Sequence, residues 1–228
     1  MSGSLPSIEF SSGFDAVICL DTDQPFNNYL SALNNPVIIA ADGAAIRLLS
    51  QAIRPDYIIG DLDSLSPFME EDILKGIEII QDKDQETNDF QKCLVFAENT
   101  GFKNILVLGI HGGEMEHTLN NWSVFIRFAQ RLNLCILDKN RYGLAIFQSF
   151  KMKTDPGELI SLIPQPKTVL TTQNLHWKLT HEELSLGFRD GAHNIADKNE
   201  ISIELHSGSL LLFIESRMPF SPSYSDIL

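Results

Sequence analysis

The chain is poor in the residues that mark secreted, membrane-bound or nucleic-acid-binding proteins. Its 228 residues include three cysteines, Cys19, Cys93 and Cys135. The number is odd and no two form a CxxC pair, so they read as core thiols in a reducing compartment rather than a disulfide framework. Basic residues are scarce, 17 against 30 acidic, for a net charge of −13. That balance argues against a nucleic-acid or anionic-membrane surface, though it leaves room for a local phosphate pocket. No apolar run approaches the roughly 20 residues a membrane helix needs. The opening MSGSLPSIEFSSG has neither a cationic segment nor an apolar core, so no signal peptide is expected. Repeats and low-complexity tracts are lacking too. Neither G-x-G-x-x-G nor G-x-x-x-x-G-K-[ST] occurs, so neither common nucleotide fingerprint applies. These absences leave a cytoplasmic protein with no nucleic-acid or membrane partner as the expectation.

Hydrophobic residues make up 43% of the chain, enough for one large core or two smaller ones. Short apolar runs read as buried strands at Asp15–Leu20, Pro36–Ala41, Tyr57–Gly60, Gly76–Ile80 and Asn104–Ile110, with another beginning at Leu134–Leu137. Helical spacing falls between them, at Ala44–Ala52, Thr87–Asn99 and Glu116–Leu132, the last with Leu119, Trp122, Ile126 and Ala129 on one side. Such alternation predicts parallel βαβ units. A turn-rich break at Met152–Gly157 precedes strand candidates at Glu158–Ile163, Thr168–Thr172, Leu184–Leu186, Ile201–Leu205 and Leu210–Ile214. The expected architecture is therefore α/β, a parallel-sheet domain over 1–150 followed by an antiparallel β domain over 151–228. The last two candidates flank HSGS and read as a terminal hairpin, with an irregular tail after Arg217.

Polar residues gather at the strand ends. Four strands end in Ala41-Asp42-Gly43, Gly60-Asp61-Leu62-Asp63-Ser64, Gln81-Asp82-Lys83-Asp84-Gln85-Glu86 and Gly109-Ile110-His111-Gly112-Gly113. In a parallel sheet these ends share one edge, and ligands bind there. Asp61 and Asp63 are two apart and would point the same way on an extended backbone. Paired carboxylates repel each other unless a cation intervenes. All-oxygen ligands suit Mg²⁺, which is usually held by one or two carboxylates plus phosphate. Thr87 or Asn88 can cap a helix with Asp89 in its first turn and Lys92 one turn on; the alternative is a cap plus a surface ion pair. Gly112-Gly113 permits a tight strand-to-helix turn, and the helix that follows can accept phosphate oxygens on its free N–H groups. His117 and Asn121, four apart, look out together.

Four stretches in this order, ADGAAIRLL, RPDYIIGDLDSL, DKDQETNDFQKCL and GIHGGEMEHTLNN, followed by LISLIPQPKTVLTTQNLHWKL, resemble the thiamine pyrophosphokinase family. The resemblance runs from about Ala40 nearly to the C-terminus. It implies a Rossmann-like catalytic domain for ATP and Mg²⁺, a C-terminal β-sandwich for thiamine, and a homodimer. The activity implied is pyrophosphoryl transfer from ATP, as co-substrate, to thiamine, with AMP released. By the same resemblance Asp61, Asp63, Asp84 and Asp89 would hold or position the metal. Asp42, Gln85, Lys92, His117, Thr118 and Asn121 would line the nucleotide and transfer site. Trp177, His193 and Asn194 would belong to the thiamine pocket, Trp177 otherwise being a core or hairpin aromatic. The chain departs from the family pattern in places. Glu114 and Glu116 stand where the pattern has Arg and Asp, and Gly191-Ala192-His193-Asn194 replaces a G-x-S-N stretch. A transferase for a different alcohol, and a non-catalytic nucleotide- or thiamine-binding homologue, are the alternatives these departures leave open.

Overall fold

The computed structural model describes residues 5–22, 25–65, 67 and 72–224. The first residues of the polar N-terminus and the last four of the tail lie outside them. The chain forms two compact units, Gly13–Asp138, and residues 1–12 with Lys139–Leu228.

Strand β1 (Ser7–Ser12) belongs to the second unit. The first unit is built on β2 (Ala16–Cys19), α1 (Asn27–Leu30), β3 (Val37–Ala41), α2 (Ala44–Ser50), β4 (Tyr57–Gly60), β5 (Glu78–Gln81), α3 (Asp89–Thr100), β6 (Asn104–Leu108), α4 (Met115–Phe128) and β7 (Asn133–Asp138). Its strands are parallel in the order β7-β6-β2-β3-β4-β5. The central strands are apolar throughout, as strands covered on both faces must be: every residue of β2 is fully buried. The order reverses between β2 and β6, and ligands of open α/β sheets bind at such a point, beyond the strands' carboxyl ends.

Helix α3 shows how sequence fixes a boundary. The Asn88 side chain accepts from the Gln91 N–H at 2.9 Å, and Gly101 ends the helix in a left-handed conformation. Phe90, Cys93, Leu94 and Ala97 form its buried face. The apolar side of α4 differs from the expected one: Val124, Phe125 and Phe128 are buried, whereas Leu119 is 62% exposed. The helix also stops at Phe128 rather than Leu132. All three cysteines are buried and free, and desolvation pushes their thiols up.

The second unit contains β8 (Arg141–Ile146), β9 (Phe150–Lys153), β10 (Leu159–Gln173), β11 (Glu182–Ser185), β12 (Gly191–Ile195), β13 (Glu200–Glu215) and β14 (Ser221–Tyr224). Four expectations are corrected here. ISIEL and LLLFIE do not fold back on HSGS; they are one strand, β13, paired along its length with β10. Gly208 serves close approach, since a Cβ there would stand only 2.0 Å from the Lys167 carbonyl oxygen. The two strand candidates on either side of PQP are likewise one strand, β10, whose ladder with β13 skips between Pro164 and Thr168, where prolines need not donate. The tail is not irregular: β14 pairs antiparallel with β1. The break set at Met152 begins later, because Phe150–Lys153 pairs with both β1 and β13. Pairing in this unit is antiparallel except between β1 and β9, so the protein is an α/β fold with mixed β-pairing. Among the described residues no helix is long and apolar enough to cross a membrane.

Candidate active site

The ends of β3 and β4 and the start of α3 bring three carboxylates together. Asp42, Asp61 and Asp89 each offer an oxygen, and these oxygens lie within 4.8 Å of one another. Asp42 is 6% exposed and its Oδ1 is buried with no hydrogen-bond partner. A buried acceptor left unmatched is costly unless something fills its place. The Lys92 side chain is 3% exposed, and its ammonium lies 3.1 Å from Asp89 Oδ1. Three carboxylates and one ammonium leave two negative charges uncompensated. An all-oxygen set with that residual charge fits a hard divalent cation such as Mg²⁺.

The surroundings act differently on two of the carboxyls. Burial holds the Asp89 carboxyl above its ordinary value; Lys92 opposes the shift, and the charges of Asp42 and Asp61 reinforce it. Asp61 is held below the ordinary value, first by the Asp63 N–H; burial, the next largest effect, opposes this, and Gln85 and Lys92 add to the lowering. The Asp63 N–H lies 3.2 Å from Asp61 Oδ1, and Gln85 Nε2 lies 3.4 Å from Asp61 Oδ2.

A cleft of about 360 Å³ opens beside the cluster. Asp42, Asp89, Asn88, His117 and Asn121 line it together with Gly43, Ser64 and the Gly112-Gly113 turn. The turn is close-packed: a Cβ on Gly112 would stand 2.7 Å from Thr22 Oγ1, and Thr22 Oγ1 donates to the His111 carbonyl at 3.2 Å. This last bond ties the loops after β2 and β6 at the point where the strand order reverses. Asn88 Nδ2 donates to Asn121 Oδ1 at 3.0 Å, joining the start of α3 to the second turn of α4.

Asp42, Asp61, Asp89, Gln85 and Lys92 thus gather around the carboxylate cluster, with His117 and Asn121 lining the adjoining cleft. Thr118 is half-buried on α4, its N–H donating to the Glu114 carbonyl at 3.3 Å. Asp63 and Asp84 lie outside the three-oxygen cluster. Leu62 has φ 70°, so Asp61–Asp63 is not extended and the strand alternation behind the expected shared direction does not apply. Exposed Asp84 accepts from the Glu86 N–H at 2.9 Å and from Thr87 Oγ1 at 3.1 Å, closing its own loop. Sequence reasoning missed Asp21, which lines the cleft and pairs with Arg47 at 2.9 Å. Asp21 follows β2 as the other acidic residues follow their strands, so the signal was there.

In the second unit, Trp177 is 58% exposed and stacks edge-on against His176. Buried Asn194 fixes its backbone, accepting from the Trp177 N–H at 3.1 Å and donating to the Trp177 carbonyl at 2.8 Å. His193 is exposed with φ 58°, a conformation uncommon for a side chain with a Cβ.

Residues 29–136 match the family described as thiamin pyrophosphokinase, catalytic domain, and residues 148–210 match thiamin pyrophosphokinase, vitamin B1 binding domain. The chain belongs to the thiamin pyrophosphokinase family. Thiamine pyrophosphokinase 1 of Oryza sativa is 32% identical over 165 residues, covering 66% of this chain and 62% of that protein. Thiamine pyrophosphokinase 3 of the same plant is covered to 65% of its length, so the chain spans just under two-thirds of these two relatives. Thiamine pyrophosphokinase 1 of Arabidopsis thaliana is 27% identical over 241 residues, covering 90% of this chain and 88% of that one. Two solved thiamine pyrophosphokinases share the fold. The Bacillus subtilis structure superposes with a TM-score of 0.73 at 19% identity, over 89% of this chain and 100% of that one. The yeast structure gives 0.71 at 20%, over 90% and 87%.

Proposed function

We propose that the protein transfers the pyrophosphoryl group of ATP to the hydroxyl of thiamine, forming thiamine diphosphate and AMP. The observation that carries this reading is the Asp42–Asp61–Asp89 cluster beside the glycine turn, in a chain matching both thiamin pyrophosphokinase domains. Asp42, Asp61 and Asp89 hold Mg²⁺, with Asp63 and Asp84 at the rim. Bound there, the ion supplies charge neutralisation at the phosphate oxygens. Lys92 limits the repulsion among the carboxylates, and Gln85 orients Asp61. The N–H groups of the glycine turn and the first turn of α4 receive phosphate oxygens. Asn88 and Asn121 fix that wall of the cleft, with Thr118 and His117 on the same helix. Transfer of this kind depends on alignment and charge, not on a covalent protein intermediate.

In this reading the parallel sheet of Gly13–Asp138 is a Rossmann-like catalytic domain and the largely antiparallel strands of the second unit form a thiamine-binding β-sandwich; the boundary expected at 150/151 moves to 138/139, and β1 joins the second unit from the N-terminal side. Trp177 offers a flat face to the cationic thiazolium, and His193 and Asn194 shape its surroundings. The working form is a cytoplasmic homodimer. A second reading, transfer to another alcohol, draws on His193, an exposed imidazole at a left-handed position next to Asn194.

The test is incubation of pure protein with Mg²⁺, ATP and thiamine, with products resolved by chromatography beside the Asp61→Ala variant. AMP and thiamine diphosphate should form together and vanish in the variant. ADP as the nucleotide product overturns the reading. ATP consumed only with another alcohol supports the second.

A further inference from the structure

If the cleft transfers a pyrophosphoryl group to a hydroxyl, some group must take the hydroxyl proton. The carboxylates lining the cleft are largely committed. Asp42 and Asp89 belong to the cation cluster with Asp61, and Asp21 is paired with Arg47. Glu114 and His117 remain. Both line the cleft, and they are paired with each other: His117 Nε2 lies 3.4 Å from Glu114 Oε2, one turn apart at the start of α4. Each side chain is 72% exposed, so solvent and substrate can reach them.

The pairing decides what the imidazole can do. An ionised carboxylate only accepts, so the nitrogen facing it carries a proton. In the neutral ring this contact favours the hydrogen on Nε2, which leaves the lone pair on Nδ1. Glu114 is also free to serve His117: it occupies the cap position of α4 but makes no side-chain capping hydrogen bond. Carboxylates, as a class, are weak bases at neutral pH unless desolvated, whereas imidazoles are matched to it.

The geometry points to His117 as the general base of the transfer, acting through Nδ1, with Glu114 as the positioning residue that fixes its tautomer. This rests on the pyrophosphoryl-transfer reading above. The acceptor oxygen forms a bond to the β-phosphorus of ATP. The bond from that phosphorus to the oxygen bridging the α-phosphate breaks, and AMP leaves with the electron pair. The hydroxyl proton passes to Nδ1 and from there to solvent, which reaches the exposed ring directly.

His117→Ala and Glu114→Gln test the assignment, read by AMP formation across pH and by equilibrium binding of Mg·ATP. Because both side chains are exposed, both variants should fold, which circular dichroism checks. His117→Ala should lose kcat by about a hundredfold and keep its Mg·ATP affinity. Added imidazole should restore part of the rate. Glu114→Gln should lose about tenfold in kcat, with KM for ATP unchanged, because only the orientation of the base is loosened. The acid limb of the parent's pH–rate profile should disappear in His117→Ala. A His117→Ala enzyme within threefold of the parent, or one that imidazole fails to rescue, overturns the assignment while leaving the transfer reading intact. A parent that makes no AMP overturns the transfer reading, and the base falls with it.

Discussion

Gly60 touches Asp42 so closely that a methyl group at position 60 would stand 2.8 Å from the Asp42 Cβ. The same methyl would lie 3.2 Å from Asp89 Oδ1. The end of β4 can sit beside Asp42 only because residue 60 has no side chain. Gly60→Ala should therefore spread the carboxylate cluster. A shift of about 1 Å at such a site costs on the order of 10²-fold in rate, and overpacking costs about 1–3 kcal/mol of stability. Steady-state kinetics and urea denaturation check the two effects separately.

Magnesium should stabilise the folded chain, since an unfolded chain has no preformed cluster. At a hundred times its Kd, a ligand adds about 2.7 kcal/mol. For a protein of this size that is a rise in Tm of roughly 5–10 °C. EDTA should reverse it, and Asp42→Asn and Asp61→Asn should show none of it. A thermal scan with and without the metal reads this directly.

The pH dependence of stability, measured without metal, should carry two opposing contributions. Asp89 is held above its ordinary value by burial. Its contribution is complete below the unfolded carboxyl's value and is lost as pH rises through the higher folded value. Asp61 is held below its ordinary value by the Asp63 N–H. Its contribution is complete above the ordinary carboxylate range and is lost as pH falls through the lower folded value. Asp89→Asn should therefore gain stability relative to the parent as pH rises from the acid range to neutrality. Asp61→Asn should lose part of the parent's decline in acid. Denaturant midpoints at several pH values decide both signs.

Asn194→Ala should weaken the second unit at one point. Its carboxamide accepts from Trp177 and Ile195 and donates to the Trp177 carbonyl, at 2.8–3.1 Å. Removing it takes three part-buried hydrogen bonds from the backbone, at about 1 kcal/mol each. With Trp177 no longer fixed, KM for thiamine should rise while kcat at saturation changes little. A thiamine titration at fixed ATP measures the split.

Glu158→Gln should damage stability and spare catalysis. Glu158 is 3% exposed and takes both its oxygens to Arg217 Nη2, at 2.7 and 2.6 Å. The Glu215 N–H adds a donor at 3.2 Å. Breaking such a buried pair from one side costs about 3–5 kcal/mol. A fall in Tm with kcat per folded molecule unchanged is the expected result.

The first unit was legible because its strands are continuous apolar runs and their polar ends share an edge. The pattern predicts β2, β3 and β4, places Asp42 and Asp61 at that edge, and puts Asp89 in the first turn of the helix that follows β5. It could not show that the chain leaves the extended form between Asp61 and Asp63, since nothing in GDLDSL announces a left-handed Leu62. Lys92 read equally well as a surface partner of Asp89; its burial depends on how α3 packs, which local spacing does not encode. The second unit was harder. Gly208 and the PQP segment look like turns in isolation, yet both lie inside long strands because each meets the other strand's backbone. β1, β8 and β12 went unseen, as short strands whose pairing partners are distant in sequence carry little local signal.

The pairing of β1 with β14 sets an order of events during synthesis. Ser221 Oγ donates to the Ser12 carbonyl, across 209 residues of chain. The first unit is one unbroken segment, Gly13–Asp138, and can fold as soon as it leaves the ribosome. The second unit has its opening strand made first and its closing strand made last. It must wait for translation to reach β14, with β1 held unpaired along that edge in the meantime. Removing β1 or β14 should thus injure the same unit, the one without the carboxylate cluster.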